Sequence, residues 1–232
     1  DIKVPKFDLQ QGKVRVLNAG QSNFLIGDQL RYRFSVRNAG PSRAENIIMN
    51  DILAVASGFQ VAMVSGMPDK INQAPASAGF ALVSKPVSCT QNATNENVIC
   101  RLSANPAQNY LDANEEVNFE IAMTMTGTAS GAVTFGNRAY VCVGDAASSI
   151  YESSGSCSPD PAVAGNNLSA VNDVVFPLAA ISGFVYTERG GLNSNYQPGT
   201  DLPFSGVTLT LTGTDELGQA VNLSTTTGAD GG

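Results

Sequence analysis

The sequence predicts an all-β protein, an antiparallel β-sandwich followed by a second, shorter β module, and three observations carry that expectation. Apolar and polar residues alternate with period two in segment after segment, which places the two sets on opposite faces of a strand. Clusters of Gly, Pro, Asn and Ser, such as Asn38-Ala39-Gly40-Pro41, close each segment as turns do. No stretch carries a capped helical period. Ala54 to Met67 is apolar but irregular, is interrupted by Gly58 and Gly66, and reads as a strand and a loop.

In chain order, the alternation marks strands over Leu30 to Val36 and Ile47 to Leu53. It is clearest in Val117, Phe119, Ile121, Met123 and Met125, with Asn118, Glu120, Ala122 and Thr124 between them, and it returns over Val133 to Val143 and Val171 to Phe176. Half-buried antiparallel strands at this spacing make a two-sheet sandwich running to about Phe176. Pro177-Leu178-Ala179-Ala180 then reads as a short linker, dividing the chain into domains 1–178 and 179–232. The second begins with a strand over Ile181 to Tyr186, continues with Val207 to Thr212, whose three apolar residues face one side and three threonines the other, and adds a third around Val221 to Thr227. Gly228 to Gly232 is a turn signal with no strand after it. That predicts a truncated module, whose open strand edge leans on the first domain or pairs with a neighbouring chain.

Composition narrows the function classes. The net charge of −7 and the charged fraction of 14% argue against a nucleic-acid footprint, which needs clustered Lys and Arg. The one basic stripe, Arg31, Arg33 and Arg37, reads as the solvated face of a strand. No apolar run approaches the roughly 20 residues that cross a bilayer. The start, Asp1-Ile2-Lys3-Val4, has neither methionine nor signal-peptide regions, and fits a mature soluble chain, processed or excised from something longer. With no histidine in 232 residues, Ser-His-Asp and Cys-His catalysis are excluded. Asp112, Glu115, Glu116 and Glu120 lie around a strand start and on its polar face, so they read as solvated carboxylates rather than a glycosidase pair. The expectation is a protein that is not an enzyme and needs no cofactor.

Four cysteines allow three connectivities. The local one, Cys89 with Cys100 and Cys142 with Cys157, is expected because each pair closes a short polar loop. Neither pair has Cys-x-x-Cys spacing, and the missing histidine argues against zinc. Two disulfides imply an oxidising, extracellular setting.

The residues also carry two resemblances. Gly27-Asp28-Gln29-Leu30-Arg31-Tyr32-Arg33-Phe34-Ser35-Val36-Arg37-Asn38-Ala39-Gly40-Pro41-Ser42, with Ala44 and Asp51 downstream, resembles the conserved repeat domain of unknown function in long bacterial surface proteins. The Cys89 and Cys100 pair and Gly136-Asn137-Arg138-Ala139-Tyr140-Val141, followed by Asn166-Asn167, extend that likeness over residues of about 8 to 176. It implies an immunoglobulin-like sandwich. Ile181 to Tyr186, then Leu202-Pro203-Phe204-Ser205-Gly206-Val207-Thr208-Leu209-Thr210-Leu211-Thr212-Gly213, looks like the opening half of a collagen-adhesin B-type repeat, which implies a partial prealbumin-like β-sandwich of the kind that builds stalks. Together they imply a spacer or presenting role on a bacterial cell surface, with neighbouring modules of the same chain as partners.

Two chemistries come with these families. Some B-type relatives bind calcium through the loop after the first strand; here Thr187 to Asp201 offers Glu188, Asn193, Asn195 and Asp201. Only Glu188 and Asp201 bring charge and Arg189 intrudes, so a polar connecting loop is the expected reading. Stalk modules of this kind also carry Lys to Asn isopeptide bonds formed beside a buried acid. The strand near Ile181 has no lysine. In the first domain Lys3, Lys6 or Lys13 would have to meet Asn137 with a carboxylate nearby; nothing in the spacing demands it, and ordinary exposed lysines are expected.

The competing function is adhesion, with glycan or a host or cell-surface protein as partner. It would use the long loops from Ser65 to Val83 or Asp145 to Asn167, with Tyr110, Tyr140 and Tyr151 as a sugar platform. Aromatic residues are 7% of the chain and tryptophan is absent, which favours the spacer.

Overall fold

The computed structural model describes residues 7–17, 24–92, 94, 97–128, 131–144, 168–177, 180–191, 195–215 and 219–232. Its internal contacts fall into two units, Asp1–Pro177 and Leu178–Gly232.

The first unit is a β-sandwich. Its described strands are β1 (Leu9–Val16), β2 (Phe24–Leu25), β3 (Gln29–Asn38), β4 (Ala44–Glu45), β5 (Ile47–Ala54), β6 (Phe59–Met63), β7 (Ala81–Leu82), β8 (Ser88–Gln91), β9 (Asn97–Arg101), β10 (Tyr110–Leu111), β11 (Glu115–Gly127), β12 (Val133–Val143) and β13 (Leu168–Phe176). One sheet runs β1-β3-β11-β6, with β7 also on β11; the other runs β2-β13-β12-β5-β9-β8, and β10 pairs with β4. All pairings are antiparallel except β7 with β11 and β2 with β13. Alternation does the sorting: Leu30, Tyr32, Phe34 and Val36 of β3 turn inward, and they meet Val117, Phe119 and Ile121 of β11 and Phe135, Ala139 and Val141 of β12 in one apolar core. Phe34 and Phe119 stack with centroids 5.6 Å apart.

β11 departs from the half-buried expectation, since Glu116 to Met123 are all buried. The reason is the segment between β6 and β7. It bonds to the free edge of β11, with the Asp69 N–H donating to the Glu120 carbonyl at 3.0 Å and the Asn72 N–H to the Asn118 carbonyl at 2.7 Å. It also folds over the strand's outer side chains: the Ser77 N–H donates to Glu116 Oε2 at 3.1 Å, and Asn118 Nδ2 donates to the Ala74 carbonyl at 3.0 Å. An edge that would otherwise invite pairing is closed. The expected solvation of Glu116 and Glu120 is thereby corrected; both are buried. Arg31 and Arg33 donate to Glu120, Arg31 also reaches Asp69 at 2.6 Å, and Arg37 bonds Gln10 and Ser77. Arg31 and Arg33 of the basic stripe are thus ion-paired and Arg37 is hydrogen-bonded, rather than forming a free solvated face.

Cys89 and Cys100 stand opposite each other on β8 and β9 and form a disulfide. Replacing both by serine opens a loop of about a dozen residues and is expected to remove about 3 kcal/mol of stability in the chain-entropy account, read as a lower urea midpoint. Cys142 is buried on β12, while its expected partner Cys157 lies outside the described residues.

The second unit consists of two hairpins: β14 (Tyr186–Thr187) with β15 (Leu202–Pro203), and β16 (Thr208–Thr214) with β17 (Ala220–Thr226). The strand expected over Ile181 to Tyr186 shrinks to Tyr186–Thr187. Val185 spends its N–H on the Gly231 carbonyl and its carbonyl on the Phe204 N–H, Phe184 stacks on Tyr196 at 4.7 Å, and Ile181 stays 80% exposed.

Candidate functional site

The inward register of the first unit carries polar residues where the pattern calls for apolar ones. On β1 the inward set is Leu9, Gln11 and Lys13; on β5, Met49, Asp51 and Leu53; on β12, Phe135, Asn137, Ala139 and Val141. The pairing of β12 with β5 sets Asn137 opposite Leu53 and Ala139 opposite Asp51, so Asp51 is the diagonal neighbour of Asn137 on the same face. Lys13 reaches in from the facing sheet.

Lys13 Nζ lies 2.6 Å from Asp51 Oδ1, and neither side chain has any exposure to solvent. The rings of Tyr32 and Phe34 sit 4.7 and 5.0 Å from the same nitrogen. Asp51 Oδ2 makes no hydrogen bond, and neither do Oδ1 and Nδ2 of Asn137, although Asn137 is fully buried. Asn137 is still close enough to Asp51 and Tyr32 to bear on the ionisation of both. A buried carboxamide without partners costs about 1–3 kcal/mol for each polar atom left unsatisfied, so its persistence calls for a reason beyond packing.

Burial dominates the ionisation of the pair. It holds Lys13 below the usual lysine range against the attraction of Asp51, and it pushes the Asp51 carboxyl above the usual carboxylate range against the attraction of Lys13. Both shifts favour an uncharged amine beside a protonated acid. The site thus holds a nucleophile, an acid and an electrophilic carboxamide in a dry apolar shell. Lys13 is no exposed lysine, and of Lys3, Lys6 and Lys13 it alone falls among the described residues.

The other expected sites fare differently. Asp201 in the loop after β14 spends both oxygens on backbone donors, Oδ1 on the Arg189 N–H at 3.0 Å and Oδ2 on the Gln197 N–H at 2.7 Å. Those bonds hold its carboxyl below the usual range. Glu188 stands beside it, Asn195 is described, and Asn193 lies outside the described residues. Two carboxylates, one already engaged by the loop backbone, fall short of the six to eight oxygens of a calcium cage, and among the described residues no three His, Cys, Asp or Glu side chains cluster. Asp201 acts as the brace of its own loop. A carboxyl depressed in the folded state stabilises above its unfolded range and loses that effect as pH falls through its lower folded value. Protection of the Arg189 and Gln197 amides from hydrogen exchange is therefore expected to drop on acidification in that window, and Asp201→Asn is expected to flatten the response.

Tyr110 is flanked by Arg43 and Lys85, 3.9 and 3.5 Å from its ring centroid, and Arg138 lies 5.6 Å from the ring of Tyr140. Tyr151 and the loop from Asp145 to Asn167 lie outside the described residues. The loop from Ser65 to Val83 is committed to β11.

No protein-family model matches the chain, and no curated protein matches it. Among solved structures it is similar to the full-length major pilin SpaD from Corynebacterium diphtheriae, at 12% identity and a TM-score of 0.41, covering 97% of this chain and 48% of that one. The major pilin SpaA of the same species, whose structure is described as pointing to a modular pilus assembly stabilised by isopeptide bonds, gives 16% identity and 0.39, covering 97% and 51%. AvmM, described as catalysing macrocyclisation in alchivemycin A biosynthesis, gives 13% and 0.37, covering 75% and 91%. The chain spans about half the length of the two pilins. With TM-scores below 0.5, none of these likenesses carries a functional argument.

Proposed function

We propose that the first unit is a structural stalk module of a bacterial surface protein that closes its own fold with an amide bond between Lys13 Nζ and Asn137 Cγ. The observation that carries this reading is the fully buried Lys13–Asp51 pair beside a carboxamide with no hydrogen-bond partner. The uncharged Lys13 amine attacks Asn137 Cγ while the Asp51 acid protonates Oδ1. The C–Nδ2 bond then breaks as the proton lost by Nζ passes through Asp51 to the leaving nitrogen, and Oδ1 returns its proton to Asp51 as the new carbonyl forms. One amide forms, one ammonia departs, and Asp51 ends as it began, with no oxidant or cofactor in the balance.

The placement suits a load-bearing element. Lys13 is on the first described strand, Asn137 on the last but one of the first unit, and they belong to different sheets. A pull on the two ends would run through the new amide and leave most of the sandwich unloaded. The reaction happens once per chain, so it makes a material and not an enzyme.

The test is the intact mass of the purified chain. A mass one ammonia below that of the oxidised sequence is expected, with a peptide joining Lys13 to Asn137 after digestion, and Asp51→Ala is expected to keep the ammonia. A wild-type mass equal to that of the oxidised sequence overturns the proposal.

A further inference from the structure

Asn137 has a second carboxylate on its other flank. β12 pairs with β13 so that Phe135 stands opposite Asp173 and Asn137 opposite Val171, which makes Asp173 the diagonal neighbour on the side away from Asp51. Asp173 is buried at 1% exposure, and its charge acts on Lys13 in the direction that favours the ammonium. Two buried carboxylates around one amine would draw it into the ammonium form, which has no lone pair to attack with. The sandwich gives Asp173 other partners. Arg15 Nη1 forms an ion pair with Asp173 Oδ1, and the Tyr32 hydroxyl donates to Oδ2 at 2.5 Å. Arg15 is two residues beyond Lys13 on β1 and directly opposite Tyr32 on β3. Its side chain retains 30% exposure, so its own charge is only partly desolvated.

We infer that Arg15 and Tyr32 are positioning residues for the cross-link. By pairing with the Asp173 carboxylate they keep its charge from holding Lys13 as ammonium, and so leave Lys13 to share its proton with Asp51 alone. The groups that act on Lys13 are Asp51 from β5, Asp173 from β13 and the rings of Tyr32 and Phe34 from β3, with Arg15 along its own strand and Asn137 of β12 beside Asp51 and Tyr32. This inference rests on the amide proposed above. It adds that the reactive pair is selected by the neutralisation of a competing acid.

The charge balance makes a prediction that a structural role does not. Arg15→Gln leaves Asp173 without its cation, so cross-linking should slow about tenfold or more near pH 6 and recover as pH rises and Lys13 deprotonates. Adding Asp173→Asn removes the uncompensated charge while its carboxamide oxygen still accepts from Tyr32, and the double variant should regain the wild-type profile. The full chain is made by cell-free translation, pulse-labelled and chased between about pH 5.5 and 8.5, with the cross-linked fraction read from the mass. Equal slowing at every pH, or a double variant no faster than Arg15→Gln, overturns the inference. The Lys13 13Cε shift, titrated in the Asn137→Ala background where no amide forms, gives an independent reading. Arg15→Gln should raise its midpoint, and an unchanged midpoint also overturns the inference. Absence of the amide from the wild type, with that rise intact, would sink the cross-link while the electrostatic assignment stands.

Discussion

Asn137→Ala is expected to lower the thermal midpoint of the first unit by roughly 10–20 °C. An amide between Lys13 and Asn137 closes a loop of roughly 120 residues, and the chain-entropy account gives about 5 kcal/mol for a cross-link over that span. The alanine variant returns part of this, because it also removes the buried Oδ1, which has no hydrogen-bond partner. A net loss of about 3–5 kcal/mol remains. The Lys13–Asp51 pair stays in place, so the variant should fold to the same sheets, which circular dichroism checks alongside the melt. Asp51→Ala should show a comparable loss for a different reason: it leaves a buried amine without its carboxylate and stops the reaction as well. If Asn137→Ala melts with the wild type, no covalent tie exists for the mutation to remove.

Period-two alternation locates β3, β5, β11, β12 and β13 of the first unit, though not β1, and the side chains of β3 and β12 record it directly. It fails where the core is not the only thing burying a face. Glu116 and Glu120 look solvated in one dimension, yet the segment between β6 and β7 covers them, and no local pattern announces that a loop will fold back. It fails again at Ile181 to Tyr186, where β-forming residues find loop partners rather than a ladder. The reactive site is half legible. Asp51, Asn137 and Asp173 each occupy an inward position between apolar residues of the same face, a violation that can be read strand by strand, while Lys13 sits between Gln11 and Arg15 on β1, a strand the alternation does not mark. What one dimension hides is that four strands from two sheets bring these violations to one place. The contact between Lys13 and Asp51 spans 38 residues and that between Tyr32 and Asp173 spans 141, distances that only the sheet order resolves.

The Asn38-Ala39-Gly40-Pro41-Ser42 turn reads in sequence as a strand breaker, and the structure gives it a larger task whose removal should cost about 3–4 kcal/mol. Asn38 is fully buried at the end of β3, and its carboxamide is fully used. Oδ1 accepts from the Asp8 N–H at 3.2 Å and the Gly40 N–H at 3.1 Å; Nδ2 donates to the Ser42 carbonyl at 2.8 Å and the Leu111 carbonyl at 3.1 Å. One side chain therefore ties the segment entering β1, its own turn and the end of β10. Alanine leaves those backbone groups without their partner, two of the four bonds being buried. Gly40 is fixed by the same arrangement, since a Cβ there would lie 2.5 Å from the Asp8 nitrogen and 2.6 Å from Phe7 backbone carbon, neither of which can move aside. Asn38→Asp separates the two halves of the carboxamide's role. It keeps the acceptor for Asp8 and Gly40 but turns an oxygen toward two carbonyls, so its carboxylate is disfavoured in the fold and its folded pKa rises. The destabilisation should then be mild in acid, where the protonated group donates to one carbonyl, and should deepen as pH rises from the unfolded carboxylate range through the raised folded value. Urea titrations of Asn38→Ala and Asn38→Asp at about pH 4 and pH 7 check both parts. Asn38→Ala should lose about the same stability at either pH, while Asn38→Asp should be the less stable of the two only at the higher one; a pH-independent Asn38→Asp would mean that Nδ2 is not facing those carbonyls in the folded chain.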